Sequence, residues 1–131
     1  MILGLGVDLV DVRRIQKALD RWQDKFPAKV LAPEELKFFG ARSAEPALLA
    51  KQFAAKEAVA KALGTGLKGV ALRDIHVLRR KGGMPVVHLH GRAKARASRL
   101  GIAEILVSTS DEQRYAIAYA IAYAVAQKPS P

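Results

Sequence analysis

The chain has no cysteine, so neither a disulfide framework nor a thiolate metal centre can form in it. Aromatic residues are only 6% of the total, which leaves little for stacking on bases. No apolar stretch approaches the roughly 18 residues of a membrane span. The apolar run Met1–Val7 stops at Asp8 and lacks the basic start and the length of a secretory signal. A soluble, cytoplasmic protein is expected. Acidic residues are also scarce, 12 against 22 lysines and arginines, for a net charge of +10. The imbalance is steepest in residues 67–131, which hold 11 basic and 4 acidic side chains.

What is present fits one compact domain spanning residues 1–131, with half of its residues apolar. A surface this basic attracts anions: nucleic acid, an anionic membrane, a phosphorylated small molecule or an acidic protein. Composition alone ranks nucleic acid first, and the run Arg92, Lys94, Arg96, Arg99 supports that reading. A non-enzymatic nucleic-acid-binding domain is therefore the alternative to any enzyme assignment. No helix-turn-helix, zinc or RNA-recognition signature accompanies the charge.

Hydrophobic periodicity predicts an α+β chain. Residues 2–10 read as a buried strand. Val12, Ile15, Leu19 and Trp22 give an amphipathic helix with Asp11 as its N-cap and Pro27 at its end. Pro33-Glu34-Glu35 opens a short helix. Residues 46–63 form the strongest helix signal, closed by Gly64-Thr65-Gly66. Residues 73–80 and 84–90 read as a hairpin, 92–100 as a basic helix and 102–108 as a strand. In 115–125 alanine takes every even position from 116 to 124, and large residues take the odd ones. That period of two predicts a strand with two buried faces, the small one open to close approach by a helix or a neighbouring subunit.

Two features carry possible chemistry. Phe53, Glu57 and Lys61 lie at i, i+4, i+8 along one helix side. Glu57 and Lys61 are either an ordinary surface ion pair or a carboxylate metal ligand beside a phosphate-binding lysine. Asp8 interrupts an apolar strand and marks either its exposed end or a functional carboxylate. Spacing does not separate these readings. Nor does it make His76, His88 and His90 a metal cluster, although they fall on neighbouring strands.

At this point two motifs coincide. Gly6-Val7-Asp8-Leu9-Val10 with Arg14, and Phe53-Ala54-Ala55-Lys56-Glu57-Ala58-Val59-Ala60-Lys61-Ala62-Leu63-Gly64-Thr65-Gly66, resemble in order and spacing the two signatures of the holo-acyl-carrier-protein synthases. The resemblance extends over essentially the whole chain, including Glu34-Glu35, Gly83-Met84-Pro85 and the segment 107–116. It implies a 4′-phosphopantetheinyl transferase fold: a mainly antiparallel sheet against a long central helix, in a single-copy unit that forms a homotrimer with sites between subunits. It implies transfer of the 4′-phosphopantetheine of coenzyme A to a serine of apo-acyl carrier protein, in fatty acid biosynthesis. Asp8 and Glu57 would hold Mg²⁺. Glu57 and Lys61 would be catalytic, with Lys61 neutralising phosphate charge. Gly64, Thr65 and Gly66 would lie against the nucleotide or its phosphates. Arg14, with Arg13 and Arg21, would meet the acidic carrier protein. Neither nucleic acid nor membrane is then a partner.

Three positions depart from the family pattern. Gln52 replaces a frequent arginine, so one phosphate or carrier contact is expected to be weaker. Met84 replaces a lysine in the hairpin turn. Asp111 stands where many relatives carry histidine. The acceptor of the serine proton stays open among Glu57, a metal-bound water and a second carboxylate such as Asp111.

Overall fold

The computed structural model describes residues 1–125. Strand β1 (Ile2–Asp11) leads into four helices, α1 (Val12–Trp22), α2 (Lys25–Val30), α3 (Pro33–Phe39) and α4 (Pro46–Ala62). A hairpin of β2 (Ile75–Arg79) and β3 (Pro85–Leu89) follows, then α5 (Gly91–Leu100), β4 (Glu104–Glu112) and β5 (Tyr115–Tyr123). Every strand pairing is antiparallel. Three strands form one sheet in the order β1-β5-β4, and β2-β3 form another.

The alternation in β5 sets the architecture. Ala116, Ala118, Ala120 and Ala122 are fully buried, and this small-residue face packs on α4. Methyl groups keep the separation between helix and sheet short. On the other face Tyr115 and Tyr119 stand exposed, beside Leu5, Val7 and Leu9 of β1 and Leu106 of β4. Of the two faces expected to be buried, only the alanine face is covered among the described residues of a single chain.

Helix α4 is buried nearly all round: Leu48, Leu49, Ala50, Ala54, Ala55, Ala58, Val59, Ala60 and Ala62 are at or close to zero exposure. Its Pro46 occupies the first turn, where a missing N–H costs nothing. Asp11 caps α1 as expected, its Oδ1 accepting from Arg13 N at 2.9 Å.

Three boundaries differ from the sequence pattern. Helix α1 stops at Trp22, before Pro27, where Gln23 adopts φ 48°. Pro27 sits in the first turn of α2, a position that needs no intrahelical N–H. The hairpin strands are shorter than expected, and Leu72–Asp74 form a 3₁₀ turn instead. Strand β4 begins two residues late and runs on to Glu112, because it joins β5 through Gln113 and Arg114 alone, with Gln113 at φ 38°. No glycine announces that turn. No helix among the described residues is long and apolar enough to cross a membrane.

Candidate functional site

Two glycines determine where Asp8 stands. Gly4, Gly6 and Asp8 alternate along the face of β1 that meets α4. A Cβ on Gly4 would lie 2.0 Å from the Ala62 carbonyl oxygen, and one on Gly6 would lie 1.8 Å from that of Ala58. Only glycine permits this approach. Asp8 is next in the row and lies beside the flank of α4 that carries Glu57 and Lys61. Lys61 Nζ donates to Val7 O at 2.9 Å and to Asp8 Oδ1 at 3.3 Å. The ion pair formed therefore joins helix to strand rather than Lys61 to Glu57 one turn earlier.

Glu57 remains without an ion-pair partner among the described residues. Burial pushes its carboxyl up, the Asp8 carboxylate pushes it further, and Lys61 and Arg14 pull it partly back. Two carboxylates thus share one partly enclosed space at the edge of a lysine. Among the described residues no three His, Cys, Asp or Glu side chains converge on a point. A pair of hard oxygen donors fits Mg²⁺, which takes one or two carboxylates and completes its shell with phosphate oxygens and water.

Just beyond, α4 ends in the glycine turn. Gly64 and Gly66 adopt φ 79° and 57°, conformations that a side chain would strain. Gly64 N donates to Lys61 O at 2.9 Å, and Thr65 Oγ1 donates to Gly66 O at 2.9 Å. The turn is partly open to solvent beside Lys61.

Helix α1 borders the same region. Arg14 is near enough to lower the Glu57 carboxyl. Arg13 instead folds back onto Asp11, Nη2 to Oδ2 at 2.8 Å, and Arg21 lies over the Trp22 ring at 4.8 Å. Between α1, α2 and α4 an apolar groove of about 490 Å³ is lined by Trp22, Phe26, Val30, Phe53 and Leu72, with Lys25 and Lys29 at its margin. Phe53 is one helical turn before Glu57. A second recess of about 380 Å³, with Arg42, Lys51, Arg79, Ser108 and Thr109 in its wall, lies on the β4 side of α4.

The interior holds a polar group that sequence reasoning missed. Glu35 is fully buried and accepts from Ala32 N, Gln52 Nε2, Lys56 Nζ and Val77 N. Lys56 Nζ also donates to Leu72 O at 2.9 Å and to Ile75 O. Gln52 Nε2 reaches Val77 O at 2.8 Å, and its Oε1 accepts from Arg79 at 3.2 Å. Gln52 is therefore a core residue, tied into this buried network. The available signal was the composition of α4: polar side chains at i and i+4 in a helix apolar on every side must face a partner. Asp111 pairs with Lys51 at 3.0 Å, two strands away from Asp8 in the sheet. His76 stacks on His90 at 3.9 Å, with Nδ1 3.5 Å from Glu34, and His88 is exposed.

The model of the 4′-phosphopantetheinyl transferase superfamily matches residues 4–120. A holo-[acyl-carrier-protein] synthase of Halorhodospira halophila is 48% identical over 120 residues, covering 91% of this chain and 95% of that protein. The structure of a Plasmodium yoelii acyl carrier protein synthase with ADP bound superposes with a TM-score of 0.89 at 37% identity, covering 96% of this chain and 98% of the other. A Helicobacter pylori holo-[acyl-carrier-protein] synthase in complex with coenzyme A superposes with a TM-score of 0.78 at 29% identity, covering 91% and 99%.

Proposed function

The chain belongs to the 4′-phosphopantetheinyl transferase superfamily, and we propose that it works as a holo-[acyl-carrier-protein] synthase through the cluster of Asp8, Glu57 and Lys61. It moves the 4′-phosphopantetheine of coenzyme A onto a serine of apo-acyl carrier protein for fatty acid biosynthesis, releasing adenosine 3′,5′-bisphosphate. The observation that carries this reading is the convergence of two carboxylates and a lysine beside the Gly64-Thr65-Gly66 turn.

Asp8 and Glu57 hold Mg²⁺ in this reading; when bound, the ion acts as a Lewis acid on phosphate oxygens. Lys61, anchored to Val7 O and Asp8, presents its charge where a pyrophosphate gathers negative charge as the bond breaks. The glycine turn brings backbone against the nucleotide without obstruction by side chains. The serine hydroxyl attacks the phosphorus that bears the pantetheine, adenosine 3′,5′-bisphosphate leaves, and a base at the site takes the serine proton.

Arg14 and Arg21 lie seven residues apart on one stripe of α1 and meet the acidic carrier beside the apolar groove at Trp22 and Phe53. Arg13, committed to Asp11, adds charge at the edge of that surface. The net charge of +10 steers coenzyme A and the carrier toward the site, where the nucleic-acid reading had assigned it to bases. The enzyme is a single-domain cytoplasmic protein that acts as a homotrimer. The support for assembly is the bare outer face of the three-stranded sheet, with Leu5 66%, Leu9 60% and Tyr119 57% exposed.

Intact-mass measurement of an apo carrier with this protein, coenzyme A and Mg²⁺ tests the reading. A phosphopantetheine mass gain that EDTA prevents is the expected result. Asp8→Ala and Glu57→Ala should each abolish the gain with circular dichroism unchanged. Full transfer by either variant removes the metal assignment.

A further inference from the structure

The four cations of α5 do not share one environment. Arg92, Lys94 and Arg99 are exposed, whereas Arg96 is half-buried against the end of α4. Its Nε donates to Leu63 O at 3.0 Å. Its Nη2 lies 3.4 Å from the point where a Cβ on Gly64 would begin. The guanidinium therefore rests beside the bare α-carbon of the glycine turn. Among the described residues it pairs with no carboxylate.

The place has a particular electrostatic need. Helix α4 ends here, and the last carbonyls of a helix carry partial negative charge. A phosphate brought to Gly64-Thr65-Gly66 would meet that charge directly. Lys61 is the one basic residue in the last turn of α4, and it is already engaged with Asp8 and Val7 O. Arg96 spends one N–H on the Leu63 carbonyl and so masks one of the terminal oxygens. A guanidinium has five donors, and those on Nη face the turn.

We infer that Arg96 is a positioning residue for coenzyme A: it caps the carboxyl end of α4, holds the Gly64–Gly66 turn in its left-handed geometry and presents an Nη edge to a substrate phosphate there. This rests on the proposed transferase reading. The ligand chemistry is a phosphate oxygen of a nucleotide, for which an arginine edge is well suited. Because Arg96 acts on substrate capture rather than on the breaking bond, its loss affects KM for coenzyme A and spares kcat.

The test compares wild type, Arg96→Leu and Arg96→Lys in steady-state transfer, with coenzyme A and the apo carrier varied separately. Amide hydrogen exchange across residues 64–69 is measured on the same proteins without substrate. Arg96→Leu should raise KM for coenzyme A about tenfold, the scale of one charge-assisted hydrogen bond. KM for the carrier and kcat should stay within about twofold, and the turn amides should exchange faster. Arg96→Lys should restore part of the affinity through its charge, and it stands in if the leucine variant does not fold. An unchanged KM for coenzyme A in both variants overturns the inference, as does an equal rise in both KM values. If wild type itself transfers nothing, the transferase reading has failed; the exchange data then still decide whether Arg96 orders the turn.

Discussion

At the scale of single residues, Asp8, Glu57 and Lys61 each interrupt a pattern, but spacing left them between ordinary surface charges and a site, and only the two family signatures singled them out. Asp8 breaks an apolar strand, and Glu57 and Lys61 break an alanine-rich helix. Gln52 and Lys56 were not legible. Polar residues in a helix ordinarily mark its solvated face, and α4 has almost none. Lys56 is held in the interior against the cost of burial, which draws its ammonium below the usual lysine range while Glu35 opposes that shift. Removing one partner leaves the other charge uncompensated. Lys56→Met should therefore cost about 3 kcal/mol in urea titration, and the double variant with Glu35→Gln should regain part of it. A double variant no more stable than Lys56→Met would show that the ion pair is not what the single change disrupts.

At the scale of elements, periodicity located every strand and the principal helices, and it misplaced the joints. Proline was read as a terminator at position 27, although the first turn of a helix accepts it equally well. The β4–β5 turn was hidden because Gln113, not glycine, takes the left-handed position. The packing of β1 on α4 could not be read from periodicity either, since glycine in a strand announces flexibility and close approach alike. Gly6→Ala tests which of these matters. Its new methyl would meet the backbone oxygen of Ala58, which no change of side chain at Ala58 relieves. We expect a loss of about 3 kcal/mol by calorimetry or denaturant titration. Transfer at a temperature where the variant remains folded should fall as well, because Asp8 shifts with the strand. A variant as stable as wild type would mean that β1 and α4 are less tightly apposed than described.

At the scale of the molecule, charge pointed to anionic partners without choosing among them, and two motifs in order made the choice. The bare sheet face was half legible: the large residues of β5 were seen, but the alternation did not say whether a helix or a neighbouring subunit covers each face. Leu5→Glu places a carboxylate in the middle of that face. By sedimentation equilibrium wild type should be trimeric and the variant monomeric, with transfer lost and helix content retained. A variant with wild-type mass would remove this face from the assembly. One further consequence follows from the sheet order β1-β5-β4. The last of the described strands occupies the middle, and both of its neighbours are made before it. While the polypeptide is still being synthesised, β1 and β4 have no partner to zip onto until residues 115–123 emerge. Contacts that join the two ends of a chain close slowly. We expect a chain interrupted before Tyr115, which leaves β1 and β4 without their shared partner, to be an inactive one and not a slower enzyme.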